Sequence, residues 1–148
     1  MPKALAQTTI ARSADDVWAV VGEFADMRWQ ESVETCTPVG DLRVAKMAGF
    51  DLEVDELLVH HDDAQRTYTY AVTAMRGITD FDRGDGTVLD LADMIGHHRA
   101  TVTVIPLDEG ACRVDYALEL DEGHDSNLAS TIGQYQSVID DLKRQLEG

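Results

Sequence analysis

Thr8-Thr9-Ile10-Ala11-Arg12-Ser13-Ala14-Asp15-Asp16-Val17-Trp18-Ala19-Val20-Val21-Gly22-Glu23-Phe24 is the stretch on which the fold turns. An extended run from Lys3 to Ala11 passes directly into a helix. Ser13 fits an N-cap, with Asp16 at the reciprocal position of a capping box, and the acids of the first turn suit the positive end of the helix. The predicted helix buries Val17, Trp18, Val20, Val21 and Phe24, and a second short helix is expected around Trp29. At the far end, Leu128, Ile132, Tyr135, Ile139, Leu142 and Leu146 recur at spacings of four and three. That period predicts one long amphipathic helix from Leu128 to Leu146.

The chain between these two helices reads as strands: Val33 to Pro38, Leu42 to Ala48, Phe50 to His61, Arg66 to Met75, Arg99 to Ile105 and Ala111 to Leu120. Alternation sorts each into two faces. Leu52, Val54, Glu56, Leu58 and His60 share one; Tyr68, Tyr70, Val72 and Ala74 share another, opposite a wetter threonine face. Antiparallel hairpins with one wet face follow, and the apolar stripe of the last helix must lie on the inward face of the sheet. A sheet wrapped around one long helix leaves a cavity. Residues 76–97 fit no strand and are rich in Asp and Gly, which predicts a lid-like insertion whose Val88, Leu89, Leu91, Ala92, Met94 and Ile95 form a short apolar turn over that cavity.

The length, 148 residues, suits one domain spanning 1–148. A net charge of -16, from 12 basic and 28 acidic residues, opposes binding to nucleic acid or to an anionic membrane. No apolar run approaches the roughly 20 residues of a membrane span, and Met1 to Gln7 has no apolar core of a signal peptide. A cytoplasmic protein, monomer or homodimer, is expected, with Cys36 and Cys112 reduced and partly buried.

The chain resembles the START/Bet v 1-like superfamily, and within it bacterial polyketide cyclase/dehydrase-like proteins. The residues that carry the resemblance are Ile10-Ala11 through Ala14 to Phe24, Arg28-Trp29, Gly40 to Arg43, Asp62 to Tyr70 and the last helix. It implies an α+β helix-grip fold, a seven-stranded antiparallel sheet around the C-terminal helix. It also implies a pocket lined by alternate strand residues and by the inner face of that helix. Carried over by position, the lining is Ala45, Met47, Leu52, Val54, Glu56 and Leu58 from the first strands. Tyr68, Tyr70, Val72, His98 and Ala100 follow, then Val114, Tyr116 and Leu118. Ile132, Tyr135 and Ile139 come from the helix. The departure lies in the insertion, which is longer than the family's usual gate loop.

Glu56 is the sharpest single residue, because it interrupts an apolar inward face. A desolvated carboxylate there suits acid/base work on an enolisable carbon; its alternative is a buried pair with Arg43 or Arg66. His98 offers a proton shuttle at the start of an inward strand. Tyr68, Tyr70, Tyr116 and Tyr135 converge on the same space, where phenols orient a carbonyl or pack as core. Glu56, His98 and Tyr70 are the expected catalytic residues. Arg43, Met47, Val54, Leu58, Tyr68, Val72, Ala100, Tyr116, Leu118, Ile132, Tyr135 and Ile139 are the expected substrate contacts. Asp80 to Asp90 is partly like a calcium loop, but Gly84 stands where the third acid belongs. His60-His61, His97-His98 and His124 form no expected zinc set, because adjacent strand histidines face opposite ways. No phosphate loop, dinucleotide fingerprint or nucleophile elbow is present. The expectation is a cofactor-independent, metal-free cyclase or dehydratase of a hydrophobic, polyketide-like intermediate. The alternative is a non-enzymatic carrier or sensor of a small hydrophobic ligand.

Overall fold

A computed structural model of the protein describes residues 1–148 apart from 83, 85 and 87. Strand β1 (Lys3–Ile10) leads into helix α1 (Ala14–Val21). The Ser13 hydroxyl accepts from the Asp16 amide at 3.1 Å, so one half of the capping box forms. The helix stops at Gly22, where a Cβ would stand 2.5 Å from Trp18 Cε2. No second helix follows. Residues around Trp29 form successive turns, because Trp29, Met27 and Phe24 are each buried against the core from irregular backbone.

Strands β2 (Val33–Val39), β3 (Leu42–Met47), β4 (Leu52–Asp62), β5 (Thr67–Gly77), β8 (His98–Asp108) and β9 (Ala111–Leu120) complete a seven-stranded antiparallel sheet in the order β1-β9-β8-β5-β4-β3-β2. Helix α2 (Leu128–Glu147) lies across β1 and β9. Its polar side chains also close the free edge of β1. Gln136 bonds both the amide and the carbonyl of Gln7, Lys143 donates to Thr9 O, and Glu147 accepts from the Ala11 amide. An open strand edge is a template for unwanted pairing, and these contacts occupy it.

Two irregularities in the β4–β5 ladder re-aim side chains. The register shifts between Leu58 and His60, so His61 stands opposite inward Tyr68 and His60 opposite Thr69. His61, not the expected His60, therefore stacks on Tyr68 and contacts the Gly22 carbonyl at 2.9 Å. A second shift between Asp55 and Glu56 places Val72 opposite Glu56 and Met75 opposite Val54. Ala74 pairs with outward Asp55, so Met75 takes the inward place expected for Ala74. One extra residue flips every side chain beyond it.

Residues 76–97 are not one loop. A hairpin of β6 (Asp80–Asp82) and β7 (Val88–Asp90) is followed by a 3-10 turn, Leu91–Met94. Asn127, wholly buried ahead of α2, donates to the Asp90 carbonyl at 2.7 Å and ties this segment to the helix. The hairpin stretch compared with a calcium loop includes 83, 85 and 87, which lie outside the described residues. Among the described residues no group of three or more metal-ligating side chains gathers. No described helix is long and apolar enough to cross a membrane. Cys36 and Cys112 are free thiols, and burial raises both above their ordinary range.

Candidate functional site

A cavity of about 650 Å³ lies between the concave face of the sheet, α2 and the β6–β7 segment. That is the size of a small-molecule site. The strands supply Met47, Leu52, Val54, Val72 and Met75 as its apolar wall. The segment after β5 covers it with Phe81, Leu89, Leu91 and Met94. Polar side chains concentrate where β4, β5, β8 and β9 face α2: Glu56, Tyr70, His98, Tyr116 and Tyr135.

Two arrangements hold that polar end. In the first, Arg43, without solvent exposure, gives Nε to Glu56 Oε1 at 2.8 Å and Nη1 to the Phe24 carbonyl at 2.8 Å. Its guanidinium lies 4.1 Å from the centre of the Phe24 ring and 4.7 Å from that of Tyr70. Burial opposes the Arg43 charge, but the Glu56 carboxylate together with Tyr68, Tyr70 and Tyr116 outweighs it, so the guanidinium stays protonated. In the second arrangement, the Tyr70 hydroxyl bonds that of Tyr116 and reaches Tyr135 at 3.4 Å. Tyr135 in turn bonds His98 Nε2 at 2.7 Å, and its ring stacks on Tyr116 with centroids 3.9 Å apart.

Burial sets the protonation of this chain. It pushes His98 down to about 4, so the imidazole is neutral at physiological pH. Burial also raises Tyr70, Tyr116 and Tyr135, with neighbouring phenols and the Glu56 charge adding to it at Tyr70 and Tyr116, while the hydrogen bond from Tyr70 offsets part of the rise at Tyr135. These phenols are donors, not phenolates. His98 Nδ1 is buried without a partner.

Of the residues expected here, Ala45, Met47, Leu52, Val54, Glu56, Tyr70, Val72, His98, Tyr116 and Tyr135 meet on the cavity wall. Others do not, and Val114 among them is sealed in the main core. Arg43 lies behind the wall rather than on it, because the Phe24 carbonyl and Glu56 draw it inward. Arg66 pairs with Asp15 at the surface. Tyr68 and Ala100 are fully enclosed in the main core, and Leu58 packs against that core. Leu118 is sealed under Met94 and Leu120. On α2, Ile139 is buried in the core and Ile132 packs on it, since the broad stripe seats on β1 and β9. The neighbouring stripe, Thr131, Gln134 and Val138, faces the cavity instead. Thr131 and Gln134 had no hydrophobic signal to mark them. Met27 and Gln30 enter from the turns after α1, where no period exists to read.

An antiparallel sheet gripping one long helix around an apolar cavity with a polar end defines a START/Bet v 1-like, helix-grip protein. The family model described as polyketide cyclase / dehydrase and lipid transport matches residues 1–147, and the chain belongs to that family. No curated protein matches the sequence. Among solved structures, a START superfamily protein from Mycobacterium smegmatis superposes with TM-score 0.64 at 12% identity, covering 97% of this chain and 98% of that one. Norcoclaurine synthase from Thalictrum flavum, solved with dopamine and hydroxybenzaldehyde, gives TM-score 0.67 at 14% identity over 97% of this chain and 85% of its own. The di-domain ARO/CYC BexL gives TM-score 0.72 at 16% identity, covering 99% of this chain and 47% of that one. At these identities the likeness is one of fold.

Proposed function

We propose that the cavity binds a hydrophobic, carbonyl-bearing small molecule and catalyses its cyclisation or dehydration without a cofactor. The observation that carries this reading is the placing of a carboxylate, Glu56, on the same wall as a phenol–imidazole chain in a largely apolar cavity. Glu56, which accepts from Arg43 Nε, is the base. The carboxylate takes a proton from a carbon flanked by carbonyls. The enolate carbon then forms a bond to a second carbonyl carbon of the same molecule, and the new alkoxide recovers the proton from Glu56. For dehydration, Glu56 takes a further α-proton and returns it to the departing hydroxyl, which leaves as water. His98 with its proton on Nε2 donates to Tyr135, and the Tyr135 hydroxyl is then free to donate to the enolate oxygen. Folding the chain of the ligand inside the cavity brings the reacting carbons together and removes the entropy of doing so.

Native mass spectrometry of the purified protein incubated with extract of its producing cell tests this. A bound compound that is consumed and returns at equal mass, or lighter by one water, is expected; Y135F and E56Q proteins that remain folded should slow it at least ~100-fold. Retention of an unchanged compound, or full turnover by both variants, overturns the proposal. A binding-only role has one observation in its favour: Glu56 is already paired with Arg43. On that reading the same variants change affinity alone.

A further inference from the structure

Among the described residues, six buried side-chain atoms have no hydrogen-bond partner, and two of them belong to residues of the cavity wall: His98 Nδ1 and Gln30 Nε2. His98 is tied to the phenol chain through its other nitrogen. The Gln30 carboxamide nitrogen has no such tie. The residue lies in the turns between α1 and β2 and is 7% exposed. Its backbone is fully used: the amide donates to the Met27 carbonyl at 2.9 Å, and the carbonyl accepts from the Val33 amide at 3.1 Å. Only the side chain has capacity left.

An enclosed donor without a partner is a standing cost to the folded chain. A methionine would fill the same volume without it. On a cavity wall, that cost is removed by an entering acceptor, and its removal adds to the affinity. The terminal torsion of a glutamine is broad, so the carboxamide turns toward a ligand easily. The ladders show how far this donor stands from Glu56. Glu56 is opposite Arg43 on β3, whereas Val33, bonded to Gln30, is on β2 opposite Met47. Two strands across and four residues along place them roughly 15 Å apart on the sheet. The phenols and the imidazole lie on the other side of Glu56, on β5, β8, β9 and α2.

We infer that Gln30 is a specificity-determining residue, whose carboxamide donates to an acceptor oxygen of the bound molecule remote from the carbon that Glu56 deprotonates. This rests on the ligand-binding reading above and adds a second point of attachment to it. A flexible molecule held at both points has fewer ways to lie, and the segment between them is shaped by the apolar wall. Part of the entropy of folding the ligand is thereby removed on binding.

Calorimetric titration with tridecane-2,4-dione and tridecane-2,4,12-trione tests the inference. The two differ by one carbonyl, far along the chain from the enolisable carbon. Buried without a donor, that carbonyl lowers affinity. The natural protein is expected to bind the trione at least about fivefold more tightly than the dione, the ratio for one buried hydrogen bond. In Q30M the order should reverse, while the dione stays within about twofold of its natural affinity. Q30M should also melt no earlier than the natural chain, because it removes an unpaired donor and opens no cavity. A trione bound no better than the dione by the natural protein, or a preference kept in Q30M, overturns the inference alone. So does a Q30M protein that melts at least about 5 °C earlier, since the carboxamide would then hold the fold. Binding of neither compound overturns it together with the ligand-binding reading.

Discussion

Arg43 and Glu56 face each other across the β3–β4 ladder, Nε to Oε1 at 2.8 Å, with the guanidinium wholly enclosed and the carboxylate on the cavity wall. The pair is a joint between core and cavity. Its cation belongs to the interior, held by a backbone carbonyl and aromatic faces, and its anion is what a ligand meets.

Removing one member strands the other. R43M leaves a carboxylate without its partner, and E56Q leaves a buried guanidinium half-paired. Each single change is expected to lower stability by about 3–5 kcal/mol, whereas R43M/E56M recovers most of that loss. Urea unfolding of the four proteins reads it; equal stability of E56Q and the natural chain would show that the pair carries no such strain.

His98 predicts a pH window. Its folded pKa, about 4, lies below the unfolded value of 6.5, so the unfolded chain holds more protons between them. The stability present above pH 6.5 is therefore lost as pH falls toward 4, by roughly 3 kcal/mol. Asp26, lowered to about 2 by its hydrogen bonds to Arg28, acts only below its ordinary value of 3.8. H98Q should flatten the upper window and leave the lower one. A stability curve from pH 7 to 4.5 that is identical in both proteins contradicts the assignment.

Gly77 is where β5 hands over to the β6–β7 hairpin. Its φ is +103°, and a Cβ would stand 2.3 Å from the Asp51 carbonyl oxygen, which already accepts from the Ile78 amide. G77A is expected to cost about 2 kcal/mol or more and to displace the hairpin, so that amide exchange quickens at 80–82 and 88–90 beyond the loss of global stability. Unaltered melting and hairpin exchange would remove Gly77 from the account.

Asn127 holds the end of the same segment through Nδ2 to Asp90 O. N127A is expected to cost about 1–3 kcal/mol. Amide exchange should quicken at 91–96 while β9 keeps its protection. Uniform exchange in both regions would show that the bond does not tether the segment.

The terminal helices, the strand alternation and the polar interruption at Glu56 were legible because each is a local period set by the backbone: 3.6 residues per turn or two per pleat. The resemblance supplied the grip of sheet on helix. Other features were decided by pairing at a distance. The two shifts in the β4–β5 ladder exchanged His60 for His61 and Ala74 for Met75 on the inward face, and a bulge leaves no mark in alternation itself. The seating of α2 on β1 and β9 chose which stripe fills the core and which meets the cavity, so Ile132 and Ile139 gave way to Thr131 and Val138. Glu56 was visible in one dimension, but its partner was not. Arg43 and Arg66 are the same residue type on neighbouring hairpins, and only the carbonyl of Phe24, brought in by the turns after α1, selects Arg43 for the interior. The sequence by itself determined which faces are apolar. The tertiary structure decided which polar groups share the cavity, because a hydrogen bond or ion pair depends on the meeting of atoms far apart in the chain.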